Sequence, residues 1–318
     1  MSEYSFTETG DHERGFARVF HDRIVPILRR HEETRKDYRK KAMTGMGIAG
    51  VGGVGAPGGG ISADAAEFGF FGGVVGGIGT FGVKAYYEGK WKSGLGSEIL
   101  PILCEFLGEM TYGEQRINLS EHVRLGLLPS YNTSHTEDPV TGSHDGLEWA
   151  MTEAVLKQKS RDSKGRTRTS TVFRGLLFKI QIHGPAPKIF FGKDRGGMLN
   201  WLSESFSSAR QGMEKIDVGD AAFQDVYEVY TTDPQGAQRF IDHRLTEGLM
   251  EIARAEGTKR YIACGMEGDG LYLALPRSGD FLGLGSLFKP LTTIERDLHE
   301  ALADLTLPAR VIDRLRGL

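Results

Sequence analysis

The sequence is poor in cysteine and has no large excess of charge of either sign. Cys104 and Cys264 are the only cysteines among the 318 residues, and they lie far apart in the chain. Two distant cysteines exclude a disulfide framework and a four-cysteine zinc site, and they are typical of reduced, buried thiols in a cytosol-facing protein. The 39 basic and 42 acidic residues give a net charge of −3, which argues against a dedicated nucleic-acid-binding protein.

The sequence also lacks the short motifs of several enzyme classes. It contains no GK[ST] sequence of a phosphate-binding loop, no HExxH zinc motif and no GxSxG nucleophile elbow. The sequence therefore predicts no catalytic residue, no cofactor and no metal site. It leaves the question of an enzyme open and favours a protein that is not one.

One polar stretch nevertheless combines residue types that bind metals. His135, Glu137, Asp138, His144 and Asp145 lie within eleven residues and offer imidazole and carboxylate ligands. Their spacing matches no metal-binding motif, and a polar surface loop is the interpretation that the pattern favours.

Glycine, in contrast, is abundant and concentrated in one window. The chain has 44 glycines, and sixteen of them lie between Gly45 and Gly82. The absence of a Gly-X-Y repeat, together with only 11 prolines, excludes collagen, and the 39% of hydrophobic and 25% of charged residues exclude wholesale disorder. The glycine excess is therefore a local feature that needs its own explanation.

Three interpretations compete for the window. Residues 42–63 and 68–83 carry no charge, only Asp64 and Glu67 are charged between them, and both outer flanks are basic. A dinucleotide-binding loop is disfavoured, because the overlapping GxGxxG matches follow a charged helix and not a strand. A flexible linker fits the glycine content but not the interspersed Val, Ile, Phe and Met. Two membrane-spanning helices fit the length and the basic flanks, with both termini in the cytoplasm.

Small residues spaced four apart would let two such helices approach closely. Against a complete first span, Pro57 is followed by three glycines and is expected to end the helix early. The predicted packing positions are Gly45, Ala49 and Gly53 on the first helix and Gly69, Gly73 and Gly77 on the second.

The rest of the sequence predicts an α+β fold with a mainly antiparallel sheet. Hydrophobic residues alternate over 147–157 and 172–182, and residues 261–274 resemble a hairpin that turns at Gly268. The predicted divisions are a charged amphipathic helix (1–41), a glycine-rich hairpin (42–83), a helix and connector (84–117), a cytoplasmic α+β domain (118–290) and a C-terminal helix (291–318).

A basic turn separates two of the predicted strands. Six cations occur within twelve residues and are opposed only by Asp162, which suits attraction to anionic lipid headgroups. The alternative is a solvated turn that keeps the hairpin from aggregating. Nucleic acid is disfavoured because no aromatic residue is interleaved. The cations are Lys157, Lys159, Arg161, Lys164, Arg166 and Arg168.

The order of these features resembles the bacterial domain-of-unknown-function family 3137. The closest parts are the segment 173–178 (FRGLLF) and the block 229–249. The resemblance extends over about residues 13–275, and it implies two adjacent membrane spans near the N-terminus, a cytoplasmic remainder and no established activity. The glycine content departs from the Leu- and Ile-rich spans of the family. The matching positions are Phe173, Gly175, Phe178, Tyr230, Asp233, Ala237 and Arg239.

Two hypotheses follow. The first is a non-enzymatic protein anchored in the inner (cytoplasmic) membrane, whose α+β domain binds an unidentified protein partner or an anionic lipid surface. The second is a cytoplasmic ligand-binding or hydrolytic protein with a mobile or buried glycine-rich segment, which a polar cleft near His135, His144 and Asp233 would favour. Neither involves nucleic acid, and both leave homo-oligomerisation open.

Overall fold

The computed structural model describes residues 4–52, 64–161, 165–192, 211–255 and 262–315, with the side chains of residues 47–81 outside the description. The chain forms two compact units whose segments alternate in sequence. The helical unit comprises Met1–Phe106 and Leu282–Asp304, and the sheet unit comprises Leu107–Phe281 and Leu305–Leu318. This grouping differs from the division by sequence, because residues 282–304 pack on helices that lie far before them in the chain.

Helices occur in both units, and short turns of other helix types precede three of them. A 3₁₀ turn spans Asp11–Glu13, a π turn spans Phe20–Ile24, and a second 3₁₀ turn spans Leu291–Thr293. The α-helices in chain order are α1 (Phe16–Val19), α2 (Val25–Gly52), α3 (Asp64–Leu107), α4 (Leu119–Arg124), α5 (Ala221–Gln224), α6 (Pro234–Ala237), α7 (His243–Ala255), α8 (Glu295–Leu305) and α9 (Leu307–Arg314).

In the helical unit, α2 and α3 pair as an antiparallel hairpin. Arg30 and His31 both contact Glu98, with His31 Nε2 at 2.8 Å from the carboxylate. Gly45, fifteen residues after Arg30 on α2, lies against Val83 on α3. Val83 precedes Glu98 by the same fifteen residues. A Cβ at position 45 would lie 2.8 Å from Val83 Cγ1. The equal steps in opposite directions define the antiparallel register, and the missing side chain at Gly45 permits the close approach.

The other predicted packing positions cannot be compared in this way. Ala49, Gly53, Gly69, Gly73 and Gly77 lie outside the residues whose side chains are described. Among the described residues, no helix has both the length and the apolar character needed to cross a membrane. The two predicted membrane spans over residues 42–83 are therefore unsupported.

The C-terminal part of the helical unit packs on the N-terminal segment. Arg35 is buried and donates a hydrogen bond to the Leu287 carbonyl at 2.8 Å, while its other nitrogens bind Glu32 at 2.7 and 2.8 Å. Glu32 also accepts a hydrogen bond from the Leu291 amide at 3.1 Å. Ion pairs between buried groups are stable only when further hydrogen bonds satisfy them, and these two backbone contacts supply that need.

The sheet unit contains one antiparallel sheet of seven strands among the described residues. β4 is its centre, because β3 pairs with its first part, β6 with its last part and β7 along most of its length. The predicted α+β fold with a mainly antiparallel sheet is confirmed. The strands are β1 (Met110–Tyr112), β2 (Thr133–His144), β3 (Leu147–Arg161), β4 (Thr167–Gly192), β5 (Glu214–Ile216), β6 (Glu228–Thr231) and β7 (Ala263–Pro276).

The hydrophobic core of this unit lies on the face of the sheet that the alternating residues of β3 and β4 supply. Leu156, Phe173 and Leu177 are buried there with Leu125 and Leu128 from the segment that follows α4. Burying such side chains stabilises a fold by about 1.5–3 kcal/mol each. The predicted alternation in β3 and β4 therefore marks the residues that hold the sheet together.

Two elements differ from the sequence prediction. Residues 261–274 do not form a hairpin, because β7 continues through Gly268, where a φ of 61° accommodates an irregularity in the pairing. The long strand β4 pairs with β7 on both sides of Gly268, so the two halves of β7 do not pair with each other. The polar stretch around residues 135–144 is strand β2 and not a surface loop, since it pairs with β3 from Thr133 to His144.

Candidate functional site

The basic turn predicted from the sequence is the end of a two-stranded ribbon. In its antiparallel register Lys157 faces Thr171, Lys159 faces Thr169 and Arg161 faces Thr167. Directly opposed residues, and residues two apart along a strand, lie on the same face of a sheet. Three cations and three threonines therefore share one face of what we call the basic ribbon, residues 157–161 and 165–171.

The basic ribbon is exposed on both faces. All its residues are exposed except Gln158, which is half-buried. Arg168 faces Ser160 on the other face, Arg166 precedes the strand, and Lys164 lies outside the described residues. A two-stranded ribbon that buries no apolar face is marginally stable by itself, so this ribbon depends on the sheet from which it extends.

Asn132 fastens the base of the basic ribbon. Its side-chain nitrogen Nδ2 donates to the backbone carbonyl of Lys159 at 3.0 Å, and its side-chain oxygen Oδ1 accepts from the backbone amide of Lys159 at 2.9 Å. Within the described part of the chain, Lys157, Lys159 and Arg161 form no ion pair with an acidic side chain. Within those residues the three cations on this face are exposed, and they are open to an external anion.

A second polar group lies where β2, β3 and the segment after β7 meet. Carboxylate oxygens of Glu137, Glu153 and Asp280 lie within 4.8 Å of one another. Glu153 is only 1% exposed, and its two oxygens accept from Arg174 Nε at 3.0 Å and from the Phe281 amide at 2.8 Å. Oxygen ligands of this kind suit a hard cation, but Arg174 already supplies a positive charge and the buried oxygens are already hydrogen-bonded.

Asp138 borders this carboxylate cluster and has an altered acidity. Burial raises its pKa to about 6, and the negative charges of Glu137, Asp280 and Glu153 act in the same direction. The Tyr112 hydroxyl opposes the rise by donating to Asp138 Oδ1 at 2.7 Å. An isolated sequence offers no sign of this cluster, because its members are brought together only by the pairing of distant strands.

The residues of the predicted polar cleft do not come together. His135 Nε2 lies 3.3 Å from Glu137, whereas His144, at the other end of β2, contacts Asp313 at 2.9 Å. Asp233 is the N-cap of α6 and accepts from the Gly236 amide at 3.0 Å. These three side chains therefore have separate structural roles.

A third group links α4 to the sheet. Glu121 Oε1 accepts from Lys179 Nζ and from the Tyr272 hydroxyl, each at 3.1 Å. His122 beside it is fully buried, with Nε2 at 3.1 Å from the Phe178 carbonyl, and burial lowers its pKa to about 4. The neutral imidazole and the ion pair fix α4 to β4 and β7, and no local motif in the sequence predicts this network.

The residues that carry the family resemblance occupy packing and turn positions. Phe173 and Phe178 are buried in the sheet, and Ala237 is buried behind the cap that Asp233 provides. Tyr230 donates to Glu228 at 2.8 Å, Arg239 is exposed, and Gly175 lies against the backbone of β7. None of these positions gathers into a reactive site among the described residues.

Both cysteines are buried and free. Burial raises the pKa of the Cys104 thiol to about 12, and it raises the pKa of the Cys264 thiol as well. Thiols are nucleophilic and bind metals as thiolates, so these two side chains are chemically inert.

Comparison with known proteins gives one family. The family model described as "Protein of unknown function (DUF3137)" matches residues 171–316, which confirms the resemblance over that part of the chain. No curated protein matches. The crystal structure of the mycobacterial trehalose monomycolate transport factor A, TtfA, is similar at 13% sequence identity and a TM-score of 0.29, over 66% of this chain and 88% of that chain. A likeness of that TM-score carries no argument about this chain.

Proposed function

We propose that this chain, which resembles the family of unknown function DUF3137 over residues 171–316, is a non-enzymatic protein that binds an anionic membrane surface. The observation that carries the proposal is the face of the basic ribbon on which Lys157, Lys159 and Arg161 lie exposed and, within the described residues, form no ion pair with an acidic side chain. Anionic headgroups attract each such cation by about 1 kcal/mol when it lies near the surface.

Attraction of this size is too weak for stable attachment by itself. Three cations contribute about 3 kcal/mol, and the contribution fades beyond about 10 Å at 0.1 M salt. Stable membrane attachment usually needs a second signal. We assign that role to the glycine-rich window 42–83, whose two ends lie on the paired helices α2 and α3.

In this proposal the window enters the inner (cytoplasmic) membrane and both termini stay in the cytoplasm. Basic residues precede Ala42 and follow Val83, as expected for segments that face the cytoplasm. The antiparallel register of α2 and α3 supports the proposal, because it brings both ends of the window to neighbouring positions. An unidentified protein partner of the sheet unit is compatible with this location.

Co-sedimentation of the full chain with vesicles tests the role of the basic ribbon. The variant carries Lys157→Ser, Lys159→Ser and Arg161→Ser, and the matched control carries Arg18→Ser, Arg29→Ser and Arg254→Ser, which removes the same charge from exposed positions elsewhere. With vesicles that contain phosphatidylglycerol, we expect binding of the ribbon variant to fall about tenfold or more, and binding of the control to change less than about twofold. Equal binding of the two variants would refute the role of the ribbon.

Alkaline carbonate extraction of cell membranes tests the anchor. We expect the full chain to stay in the membrane pellet and a variant without residues 42–83 to appear in the supernatant. Release of the full chain into the supernatant would exclude the anchor.

The ligand-binding or hydrolytic alternative has no comparable support within the described residues. His135, His144 and Asp233 lie apart, and the oxygens of Glu153 in the carboxylate cluster are occupied by Arg174 and the Phe281 amide. We therefore propose no second function.

A further inference from the structure

Aromatic side chains collect at one level of the α2–α3 hairpin. The ring of Tyr38 on α2 lies 6.0 Å from the ring of Tyr87 on α3, and Tyr86 lies 5.3 Å from Tyr87. Tyr38 precedes Ala42, the first residue of the glycine-rich window, by four positions, and Tyr87 follows Val83, its last residue, by four. The tyrosines therefore stand at matching distances, about 6 Å along each helix, from the two ends of the window.

Cations accompany these rings. Lys41 Nζ lies 5.5 Å from the centre of the Tyr38 ring, and Lys84 Nζ lies 5.1 Å from the centre of the Phe288 ring in the same unit. Two acidic residues lie among them, since Asp37 pairs with Lys41 at 2.6 Å and Glu88 accepts from Ser286 at 3.1 Å. The cations near this level on α2 and α3 include Lys36, Arg39, Lys40, Lys41 and Lys84.

Exposed apolar surface is concentrated at the same level. The described residues include three large hydrophobic side chains that are exposed, namely Tyr86 at 62%, Met43 at 55% and Val123 at 42%. Two of the three, Tyr86 and Met43, belong to this level of the hairpin. A large side chain that water surrounds this freely gains free energy when another apolar phase covers it.

Tyrosine and lysine have complementary properties at a membrane surface. The tyrosine ring is apolar and its hydroxyl is polar, so the side chain prefers the layer of lipid headgroups. A lysine stem lies along apolar surface while its ammonium group reaches phosphate. Tyrosines and lysines next to two uncharged segments are thus typical of the boundary between membrane and water.

We infer that this collar, formed by Tyr38, Tyr86, Tyr87, Lys40, Lys41 and Lys84, lies among anionic phospholipid headgroups and sets the depth at which the helical unit enters the membrane. The inference rests on the proposed membrane binding and names the residues that make contact. The occupant is a phospholipid surface and not a second protein, because the cations outnumber the acids at this level and the collar adjoins the uncharged ends of the glycine-rich window.

The test measures the depth of single positions in the full chain bound to vesicles. Cys104 and Cys264 are buried with raised pKa values, so a thiol-reactive fluorophore modifies an added exposed cysteine selectively. Tyr86→Cys reports on the collar. Ser97→Cys is the matched control, since it is exposed on the same helix and lies eleven residues, or about 16 Å, further from the window.

The vesicles contain phosphatidylcholine and phosphatidylglycerol, with a spin label either at the headgroup or deep in the acyl chain. We expect headgroup labels to quench the fluorophore at position 86 at least threefold more than at position 97, and deep labels to quench neither. Equal quenching at positions 86 and 97 by headgroup labels, or stronger quenching at 86 by deep labels, would overturn the collar while leaving membrane binding intact. Absence of vesicle binding by the unlabelled full chain would refute the proposed function itself.

A charge variant provides an independent measurement. Lys40→Gln, Lys41→Gln and Lys84→Gln together are expected to lower binding to vesicles with phosphatidylglycerol about tenfold, and to leave binding to pure phosphatidylcholine within twofold. Unchanged binding to the anionic vesicles would count against the collar. Efficient disulfide cross-linking between two copies of the Tyr86→Cys variant, without vesicles, would assign the collar to a second copy and overturn the inference.

Discussion

Gly175 of β4 lies directly against the carbonyl oxygen of Leu275 in β7, so that a Cβ at position 175 would overlap this oxygen and come within 2.9 Å of the Arg277 amide nitrogen. The two strands pair at this point, and the Arg277 amide donates to the Arg174 carbonyl at 2.9 Å. The absence of a side chain at Gly175 is thus a condition for the β4–β7 ladder.

Gly175→Ala is accordingly expected to lower the free energy of unfolding of the sheet unit by about 2–3 kcal/mol, because the added methyl group must push backbone atoms apart. Urea denaturation followed by circular dichroism measures the change. Gly279→Ala is the control, since nothing lies within 4 Å of a Cβ at that position. A similar loss in the control would contradict the explanation by backbone contact.

The close approach of α2 and α3 yields a second prediction. Gly45→Leu places a side chain against Val83 and is expected to destabilise the helical unit by about 1–3 kcal/mol. Gly89→Leu, at a helical position with no atom within 4 Å of a Cβ, is expected to stabilise it by about 0.8 kcal/mol through helix propensity alone. Thermal unfolding followed by circular dichroism compares the two variants, and shifts of equal sign and size would show that Gly45 is not a contact position.

The raised pKa of Asp138 predicts how the free energy of unfolding of the sheet unit depends on pH. Its folded pKa of about 6 exceeds the ordinary value of 3.8, so the folded state binds the proton more tightly and stability falls as the pH rises from 3.8 to about 6. Asp138→Asn removes the ionisation and is expected to be more stable than the original protein by about 2 kcal/mol at pH 8, with little difference at pH 3.

Asparagine also suits the backbone of this position, where φ is 48°. Asp145→Asn is the control, because Asp145 is exposed and also has a positive φ, of 54°. It measures how much stability asparagine adds only by its preference for this backbone conformation. Denaturation in urea at both pH values provides the measurement. A gain by Asp138→Asn that is the same at pH 3 and pH 8 would argue against an ionisation.

The lowered pKa of Glu13 predicts the opposite dependence of stability on pH for the helical unit. Burial acts to raise its pKa, but hydrogen bonds from His299 at 2.5 Å, and from Thr9 and Gly10 at 2.6–3.1 Å, outweigh burial and lower the pKa to about 2. Its contribution to stability is complete above pH 4.5 and is lost as the pH falls from 4.5 to about 2.

Glu13→Gln is therefore expected to lose about 2–3 kcal/mol at pH 7 and to approach the original protein near pH 2. Thermal unfolding over this pH range checks the expectation, and Glu300→Gln at an exposed position of α8 serves as the control. If the deficit of the Glu13 variant stayed constant down to pH 2, the carboxylate would not be the source.

The sequence predicted the elements that local patterns determine. Alternating hydrophobic residues identified β3 and the first part of β4. It mistook β7 for a hairpin, because Glu267, Gly268 and Asp269 have the composition of a turn. In the fold, the length of β4 decides the outcome by offering a partner on both sides of Gly268.

The carboxylate cluster could not be predicted from the sequence, because its members are far apart in the chain. Glu137, Glu153 and Asp280 are up to 143 positions apart in sequence, so only the meeting of β2, β3 and the end of β7 creates their cluster. The two predicted membrane spans remain unsupported, because no helix among the described residues is long and apolar enough to cross a membrane. The basic ribbon, in contrast, could be predicted from the run of basic residues in the sequence. The structure adds which of these residues share a face of the ribbon.

The alternation of the two units along the chain has a consequence for the order of synthesis. The N-terminal segment of the helical unit leaves the ribosome first, but its partners Leu287, Leu291 and His299 follow only after the 175 residues from 107 to 281. At about 5–20 residues per second, that delay is about 10–35 s. Throughout this time Glu13, Glu32 and Arg35 lack the contacts that later bury them, so the helical unit is completed only after the segment Leu107–Phe281 of the sheet unit has been made.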